Sequence, residues 1–163
     1  MNGFTEHQAS DASEAAGRGG VVLTWDAAQA MLPLVRRIVA DAVRHGEALA
    51  ELGAEKERLD RQRMTLAWPG RRRRYQVSEE IQRAEAGLQE ARAELEGLGV
   101  ALLDLELGQV GFPTIVNNRR AFFSWRPGDE VVEFWHFARS HRRRPVPGSW
   151  KDADEKKRKP GKN

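Results

Sequence analysis

The sequence contains no cysteine, which excludes disulfide bonds, thiolate nucleophiles and thiolate metal ligands. Any metal would have to be bound by histidine, aspartate or glutamate. No apolar run approaches the roughly 18 residues that a membrane-spanning helix needs. The polar first 20 residues also lack the basic start and apolar middle of a secretory signal. These absences predict a cytoplasmic protein without a membrane partner.

Familiar catalytic motifs are missing as well. The chain has no HExxH, no glycine-rich phosphate loop between a strand and a helix, and no G-x-S-x-G. Of its four histidines, only His136 and His141 lie near one another in the sequence. The sequence therefore predicts no cofactor and no metal site, and it leaves open whether the protein is an enzyme.

The charge is unevenly distributed along the 163 residues, although the net charge is only +3. Basic residues concentrate in the run Arg71 to Arg74 and in a C-terminal segment rich in proline, lysine and arginine. Low hydrophobicity and clustered charge are typical of disordered segments. We therefore predict a disordered segment at residues 1–20, a single domain at 21–138 and a basic, disordered tail at 139–163.

Two stripes of apolar residues predict two long helices. From Met31 to Leu59, and again from Ile81 to Leu102, apolar residues recur at alternating intervals of four and three. This spacing places one stripe along a helix, as in coiled coils. Thr24 is the expected N-cap of the first helix and Ser78 that of the second, and Pro33 marks a point where the first helix could begin or bend.

The segment between the stripes, LAWPGRRRRYQV, is short and contains Pro-Gly. It predicts an antiparallel hairpin with the arginine run in its loop. Matching the stripes places Leu59 near Ile81 and Ile38 near Leu102.

Two polar residues, His45 and Lys56, interrupt the first stripe. We expect the first at the margin of the stripe, and the second to extend its ammonium group into solvent near the loop. Because two helices cannot bury both flanks of their stripes, the hairpin should pack against the aromatic C-terminal segment and form a homodimer through the stripes.

The aromatic segment VGFPTIVNNRRAFFSWRPGDEVVEFWHF predicts three short antiparallel strands. Its expected tight turns are centred on Asn117–Asn118 and Gly128–Asp129, since these residue types tolerate positive φ. The implied register pairs Phe122 with Trp135 and Ala121 with His136. It puts His136 on the more apolar face and makes Arg126 and Glu133 diagonal neighbours suited to an ion pair. The predicted fold is α+β, a long antiparallel helical hairpin with a small three-stranded sheet.

These motifs resemble an uncharacterised bacterial family, domain of unknown function 2203. The run LDLELGQVGFPTIVNNRRAFFSWRPGDEVVEFWHFA followed by RRRPVP carries the family's Gly-Phe-Pro, Trp-Arg-x-Gly and Trp-His pieces. The opening TWDAAQA matches a TLEEAN-like helix start. The resemblance covers about residues 22 to 147 and implies domain limits but no activity. The arginine run and the basic tail depart from the family pattern.

Three functions remain open. The first is a non-catalytic interaction or scaffolding module that contacts a protein partner through a groove between sheet and helices. A buried histidine and a paired arginine would explain the same residues without any substrate. The residues of this surface are Trp125, Arg126, Asp129, Glu133, Trp135, His136, Asp104 and Glu106.

The second function is anion or nucleic-acid binding, because positive charge alternates with rings that can stack on bases. The third is a small hydrolase or metal-dependent enzyme centred on His136, with a neighbouring carboxylate to orient the imidazole. The residues of the nucleic-acid hypothesis are Trp68, Arg71, Arg72, Arg73, Arg74 and Tyr75, together with the basic tail.

Overall fold

The computed structural model describes residues 20–158, so the predicted N-terminal segment and residues 159–163 lie outside the described chain. The fold is α+β, as predicted, but the sheet has five strands instead of three. The elements are α1 (Trp25–Arg61), α2 (Trp68–Gly97), β1 (Ala101–Asp104), β2 (Gln109–Val116), β3 (Arg119–Trp125), β4 (Phe134–Phe137), β5 (Arg144–Pro145) and α3 (Gly148–Arg158).

Helix α1 begins where the sequence predicts. The side chain of Thr24 accepts a hydrogen bond from the backbone N–H of Ala27 at 3.1 Å, which satisfies one of the unpaired donors of the first turn. The helix continues through Pro33, which is exposed. Of the predicted stripe, Val35, Ile38 and Ala42 are buried. The stripe did not include three further buried residues of the helix, Ala28, Leu32 and Val39.

Helix α2 begins ten residues before the predicted cap Ser78, which is a correction. Its first residue is Trp68, and Pro69 lies in the first turn. Proline costs no hydrogen bond there, because the missing N–H would have had no helical partner. Arginine is a good helix former, so the run Arg71 to Arg74 continues the helix and is not a loop. Ser78 donates its hydroxyl to the carbonyl of Arg74, one turn back, at 3.2 Å.

The alignment of the two helices also differs from the prediction. The ring of His45 lies against Gly87, where an added Cβ would come within 2.4 Å of the ring. Near the loop, Arg74 binds Asp60. These contacts exclude the pairing of Leu59 with Ile81. The second stripe was predicted to continue as helix to Leu102, but α2 ends at Gly97 and residue 102 belongs to β1.

The five strands are antiparallel and lie in the order β1-β2-β3-β4-β5. Asn117 and Asn118 form the predicted turn between β2 and β3, with φ of 51° and 58°. The next turn is centred on Pro127–Gly128, not on Gly128–Asp129 as predicted. The N–H of Asp129 donates to the carbonyl of Arg126 at 3.0 Å, and Gly128 has a φ of 105°, which is the pattern of a type II turn.

The β3–β4 register is also shifted by one residue from the prediction, because the connection over residues 126–133 is longer than a two-residue hairpin turn. Phe122 pairs with His136 and Ala121 with Phe137, whereas the prediction paired Ala121 with His136. A one-residue shift moves a side chain to the other face of the sheet. Phe123, Trp125 and Trp135 therefore belong to the core that packs on the helices, while His136 lies on the opposite face with Phe122.

Within the predicted tail at 139–163, the described part contains strand β5 and helix α3. Val146 is buried, and the ring of Trp150 lies 5.2 Å from Trp135 and 6.3 Å from Phe123, measured between centroids. Although this segment is highly charged, it contains a few apolar residues that complete the core. No helix between residues 20 and 158 is long and apolar enough to cross a membrane.

Candidate functional site

The two tryptophans predicted for the sheet surface are core residues. Trp125 and Trp135 are only 4% and 7% exposed. The indole Nε1 of Trp125 donates to the backbone carbonyl of Asp129 at 2.9 Å, which satisfies its one polar atom. Their burial leaves little ring surface for a partner, so these side chains stabilise the fold.

His136 is buried too, at 5% exposure. The geometry assigns the Nδ1 proton to a hydrogen bond with the carbonyl of Phe137 at 2.9 Å. The imidazole lies 5.7 Å from the ring of Phe122, and its Nε2 has no partner among the described residues. Burial lowers the pKa of His136, and the hydrogen bond to the Phe137 carbonyl only partly offsets this effect. The imidazole is therefore neutral near pH 7.

The predicted carboxylates do not gather around this imidazole. Asp104 accepts a hydrogen bond from the N–H of Leu107 at 2.9 Å and so closes its own turn. Glu106 and Glu133 are exposed, and no ion pair joins Arg126 to Glu133 in the described chain. Among residues 20–158, no three histidines or acids are grouped as metal ligands. In the described chain, none of these carboxylates binds a ring nitrogen of His136.

A residue that the sequence analysis missed, Arg143, forms the principal polar network of the sheet. Its side chain binds the carboxylate of Asp129 and the hydroxyl of Ser124, and its Cζ lies 4.2 Å from the centroid of the Phe134 ring. The two charged side chains are only 13% and 14% exposed. The apolar residues Val146 and Trp150 that follow Arg143 were the signal that this segment folds back onto the domain.

At the hairpin tip, residues 55–80, the four arginines of the run Arg71 to Arg74 point in two different directions. Arg73 points toward α1 and binds Glu55 through both carboxylate oxygens, at 2.7 and 2.8 Å, and it also binds Glu80 at 2.9 Å. Arg74 binds Asp60, which Lys56 also contacts. The hydrogen bond from Arg73 lowers the pKa of Glu55, and the bonds from Lys56 and Arg74 lower that of Asp60.

The other two arginines lie on the outer side of α2. Trp68, Arg71, Arg72 and Tyr75 follow the spacing i, i+3, i+4, i+7 and so share one helix face. The two rings are 66% and 70% exposed. Neither Arg71 nor Arg72 forms a side-chain hydrogen bond or ion pair within residues 20–158. We call these four residues the tip face.

A family model described as uncharacterized conserved protein (DUF2203) matches residues 22–146. The chain belongs to the DUF2203 family. No curated protein and no solved structure matches it. The DUF2203 match covers the whole hairpin, including the tip face, and the sheet through β5, and it ends just before α3.

Proposed function

We propose that this DUF2203 protein is a non-catalytic binding module that holds single-stranded nucleic acid on its tip face. One observation carries the proposal. Trp68 and Tyr75 are the two large exposed aromatic residues of the described chain, and two unpaired arginines lie between them on the same helix face.

The spacing of the rings suits a flexible strand. Seven residues of α-helix separate Trp68 from Tyr75 by about 10 Å along the axis. Each ring can stack on a base whatever its identity, a contact that contributes about 1–3 kcal/mol. Arg71 and Arg72 can bind the phosphates between the stacked bases. Every described aromatic residue outside the tip is buried or half-buried.

The ion pairs behind the tip face cancel the charge of the neighbouring acids. Arg73 and Arg74 bind Glu55, Asp60 and Glu80 in partly exposed pairs. Other arginines of the tip have no ion pair in the described chain, and a clustered positive surface attracts a polyanion. These unpaired residues are Arg58, Arg61, Arg63, Arg71 and Arg72.

The burial of His136 in the sheet favours a binding function over a catalytic one. Among residues 20–158, no carboxylate binds either ring nitrogen of His136, and its unpartnered Nε2 is buried away from solvent. A general base needs access to the proton that it removes. The tip face offers an accessible surface instead.

Fluorescence anisotropy with a labelled single-stranded RNA of about 12 nucleotides tests the proposal. We expect Trp68→Ala and Tyr75→Ala each to weaken binding about tenfold, because each removes one stacking contact. Arg37→Gln is the matched control for the arginines, since it removes an exposed charge far from the tip. Equal affinity of wild type, both ring variants and Arg71→Gln/Arg72→Gln would exclude the tip face.

Salt provides an independent measure of the same contacts. For single strands, the logarithm of the affinity falls with the logarithm of salt concentration by about 0.7 per phosphate contact. Arg71→Gln/Arg72→Gln should therefore reduce this slope by about 1.4. The ring variants should lower the affinity without changing the slope.

The half-buried stripe supports the predicted homodimer, which remains a proposal. Leu49, Leu52, Leu59 and Ile81 are only half-buried, so a second hairpin would cover more of their apolar surface. Light scattering after size exclusion should give twice the mass of one chain. A monomer mass across the whole accessible concentration range would contradict it.

A further inference from the structure

One end of the sheet carries two connections that lie side by side, the turn between β2 and β3 and the loop between β4 and β5. Connections that follow alternate strands of an antiparallel sheet lie at the same end, and these two follow β2 and β4. A hydrogen bond joins them directly, because the N–H of Ala138 donates to the carbonyl of Arg120 at 3.0 Å. Residues 117–120 and 138–142 therefore belong to one surface, which we call the sheet end.

The sheet end carries positive charge in a region without acids. No aspartate or glutamate occurs from residue 107 to 128 or from 134 to 151, so β2, β3, β4 and β5 contain none. Four arginines of this surface are exposed, and none of their side chains forms a hydrogen bond or ion pair within residues 20–158. These are Arg119, Arg120, Arg139 and Arg142. Their charges are therefore available to an anionic partner.

The loop between β4 and β5 is held in place by its own hydrogen bonds. Ser140 donates its N–H to the carbonyl of Phe137 at 2.9 Å, and its hydroxyl accepts a hydrogen bond from the N–H of Arg142 at 3.3 Å. Arg143, the next residue, anchors the loop through its ion pair with Asp129. A surface that is ordered before binding loses less entropy when it binds.

The sheet end differs from the tip face because it presents no exposed ring. Phe122, Phe123 and Phe137 flank it in the sequence, and each is buried or half-buried. The Cζ of Arg119 also lies 4.1 Å from the centroid of the Phe137 ring. Sequence-independent binding of single strands relies on bases that stack on exposed rings. A duplex keeps its bases stacked inside and presents about one phosphate charge per 1.7 Å of its axis, so it can be bound by charge alone.

We propose that the sheet end is a second nucleic-acid surface, which binds the phosphate backbone of a duplex without reading its sequence. Four guanidinium groups distributed over two adjacent connections suit this partner, because phosphates recur along each strand and each arginine can bind a different one. The arginines therefore do not need to converge on one group. The sheet end shares no residue with the tip face, so this proposal does not depend on the proposed function.

Fluorescence anisotropy with a labelled DNA duplex of about 20 base pairs, measured over a series of salt concentrations, tests the sheet end. For a duplex, the logarithm of the affinity falls with the logarithm of salt concentration by about 0.9 per phosphate contact. Arg139→Gln/Arg142→Gln should therefore reduce this slope by about 1.8.

Arg37→Gln/Arg83→Gln is the matched control, since it removes two exposed arginines from the helices and lowers the net charge by the same amount. We expect this control to keep the wild-type slope. Equal slopes in the two double variants would mean diffuse attraction and overturn the proposal. The absence of duplex binding at about 50 mM salt would overturn it too.

Further measurements separate the sheet end from the tip face and from other anionic partners. Trp68→Ala should weaken the binding of single-stranded RNA and leave duplex binding unchanged. Duplex binding that persists while single-stranded RNA does not bind would support the sheet end and contradict the tip face alone. A loss of duplex affinity in Trp68→Ala as large as in Arg139→Gln/Arg142→Gln would place the duplex at the tip and overturn the proposal. Phosphatidylserine vesicles that bind wild type but not Arg139→Gln/Arg142→Gln, without any duplex binding, would assign the surface to a membrane and overturn it as well.

Discussion

The two ends of the helical hairpin are held together by different forces. One end is the head, which comprises β1–β5 and α3. Its aromatic and aliphatic side chains are buried against the first half of α1 and the last turns of α2. At the hairpin tip, partly exposed ion pairs such as Arg73–Glu55 and Arg74–Asp60 join the helices. Burial therefore stabilises the head, while the tip keeps rings and charges at its surface that are free to bind.

The largest effect on stability should come from the head. Phe112 is fully buried in strand β2, and Phe112→Ala should lower the free energy of unfolding by about 3–5 kcal/mol. Ile115→Ala is the control on the same strand, since this side chain is 52% exposed. Urea unfolding measures the free energy of unfolding of both variants. Similar losses in the two variants would contradict the description of the head as the stabilising end.

The next largest effect should come from the Arg143–Asp129 pair. Asp129→Asn leaves a largely buried guanidinium without its counter-charge, and we expect a loss of about 2–4 kcal/mol. Adding Arg143→Leu to this variant should recover part of that loss, because the uncompensated charge is then removed. An Asp129→Asn protein as stable as wild type would show that the pair contributes little to the head.

Measuring the free energy of unfolding as a function of pH tests the contribution of His136 to the stability of the head. Its folded-state pKa lies below the ordinary value of 6.5, so the unfolded chain binds the proton more readily. Stability from the neutral imidazole is complete above pH 6.5, and it should decline as pH falls below that value toward the folded-state pKa. His136→Gln should remove this part of the pH dependence. His141→Gln, an exposed histidine nearby, should retain it.

The smallest effect should come from the ion pairs of the tip. Arg73 lies in partly exposed pairs with Glu55 and Glu80, where solvent screens the attraction. Arg73→Gln should lower the melting temperature slightly at low salt. The difference from wild type should disappear at 1 M salt, where the Debye length is about 3 Å. A loss of stability as large as that of Phe112→Ala would contradict the distinction between a head held by burial and a tip held by partly exposed ion pairs.

Local signals predicted the parts of the fold that depend on neighbours in the sequence. Thr24 caps α1 and Asn117–Asn118 turns between β2 and β3, because each depends on a few consecutive residues. The start of α2 was predicted wrongly, since Pro69 and Ser78 are competing start signals and tertiary contacts of Arg73 favour the earlier one.

Long-range features could not be predicted in the same way. The register of β3 and β4 depends on the loop at residues 126–133, in which the Asp129 side chain accepts a hydrogen bond from the N–H of Arg126. Strand β5 is held by its pairing with β4 and by Arg143, whose partner Asp129 is 14 residues away. Composition alone assigns this segment to a tail because its charge outweighs its few apolar residues.

The candidate binding residues at the tip were predicted from the sequence as one group, and their division into two pairs was not predicted. A loop gives no reason to separate Arg71 and Arg72 from Arg73 and Arg74. The helical period separates them. It places Arg73 and Arg74 toward the acids of α1, and it leaves Arg71 and Arg72 on the same face as Trp68 and Tyr75.

Tryptophan fluorescence during titration with single-stranded RNA tests the role of the tip face most directly. Of the five tryptophans, Trp68 is the exposed one, while the other four are buried or half-buried in the head. Stacking of a base on Trp68 should quench part of the emission, and Trp68→Phe should abolish the quenching while most of the affinity is retained. Quenching of the same size in Trp68→Phe would place the nucleic acid on the head and contradict the proposed function.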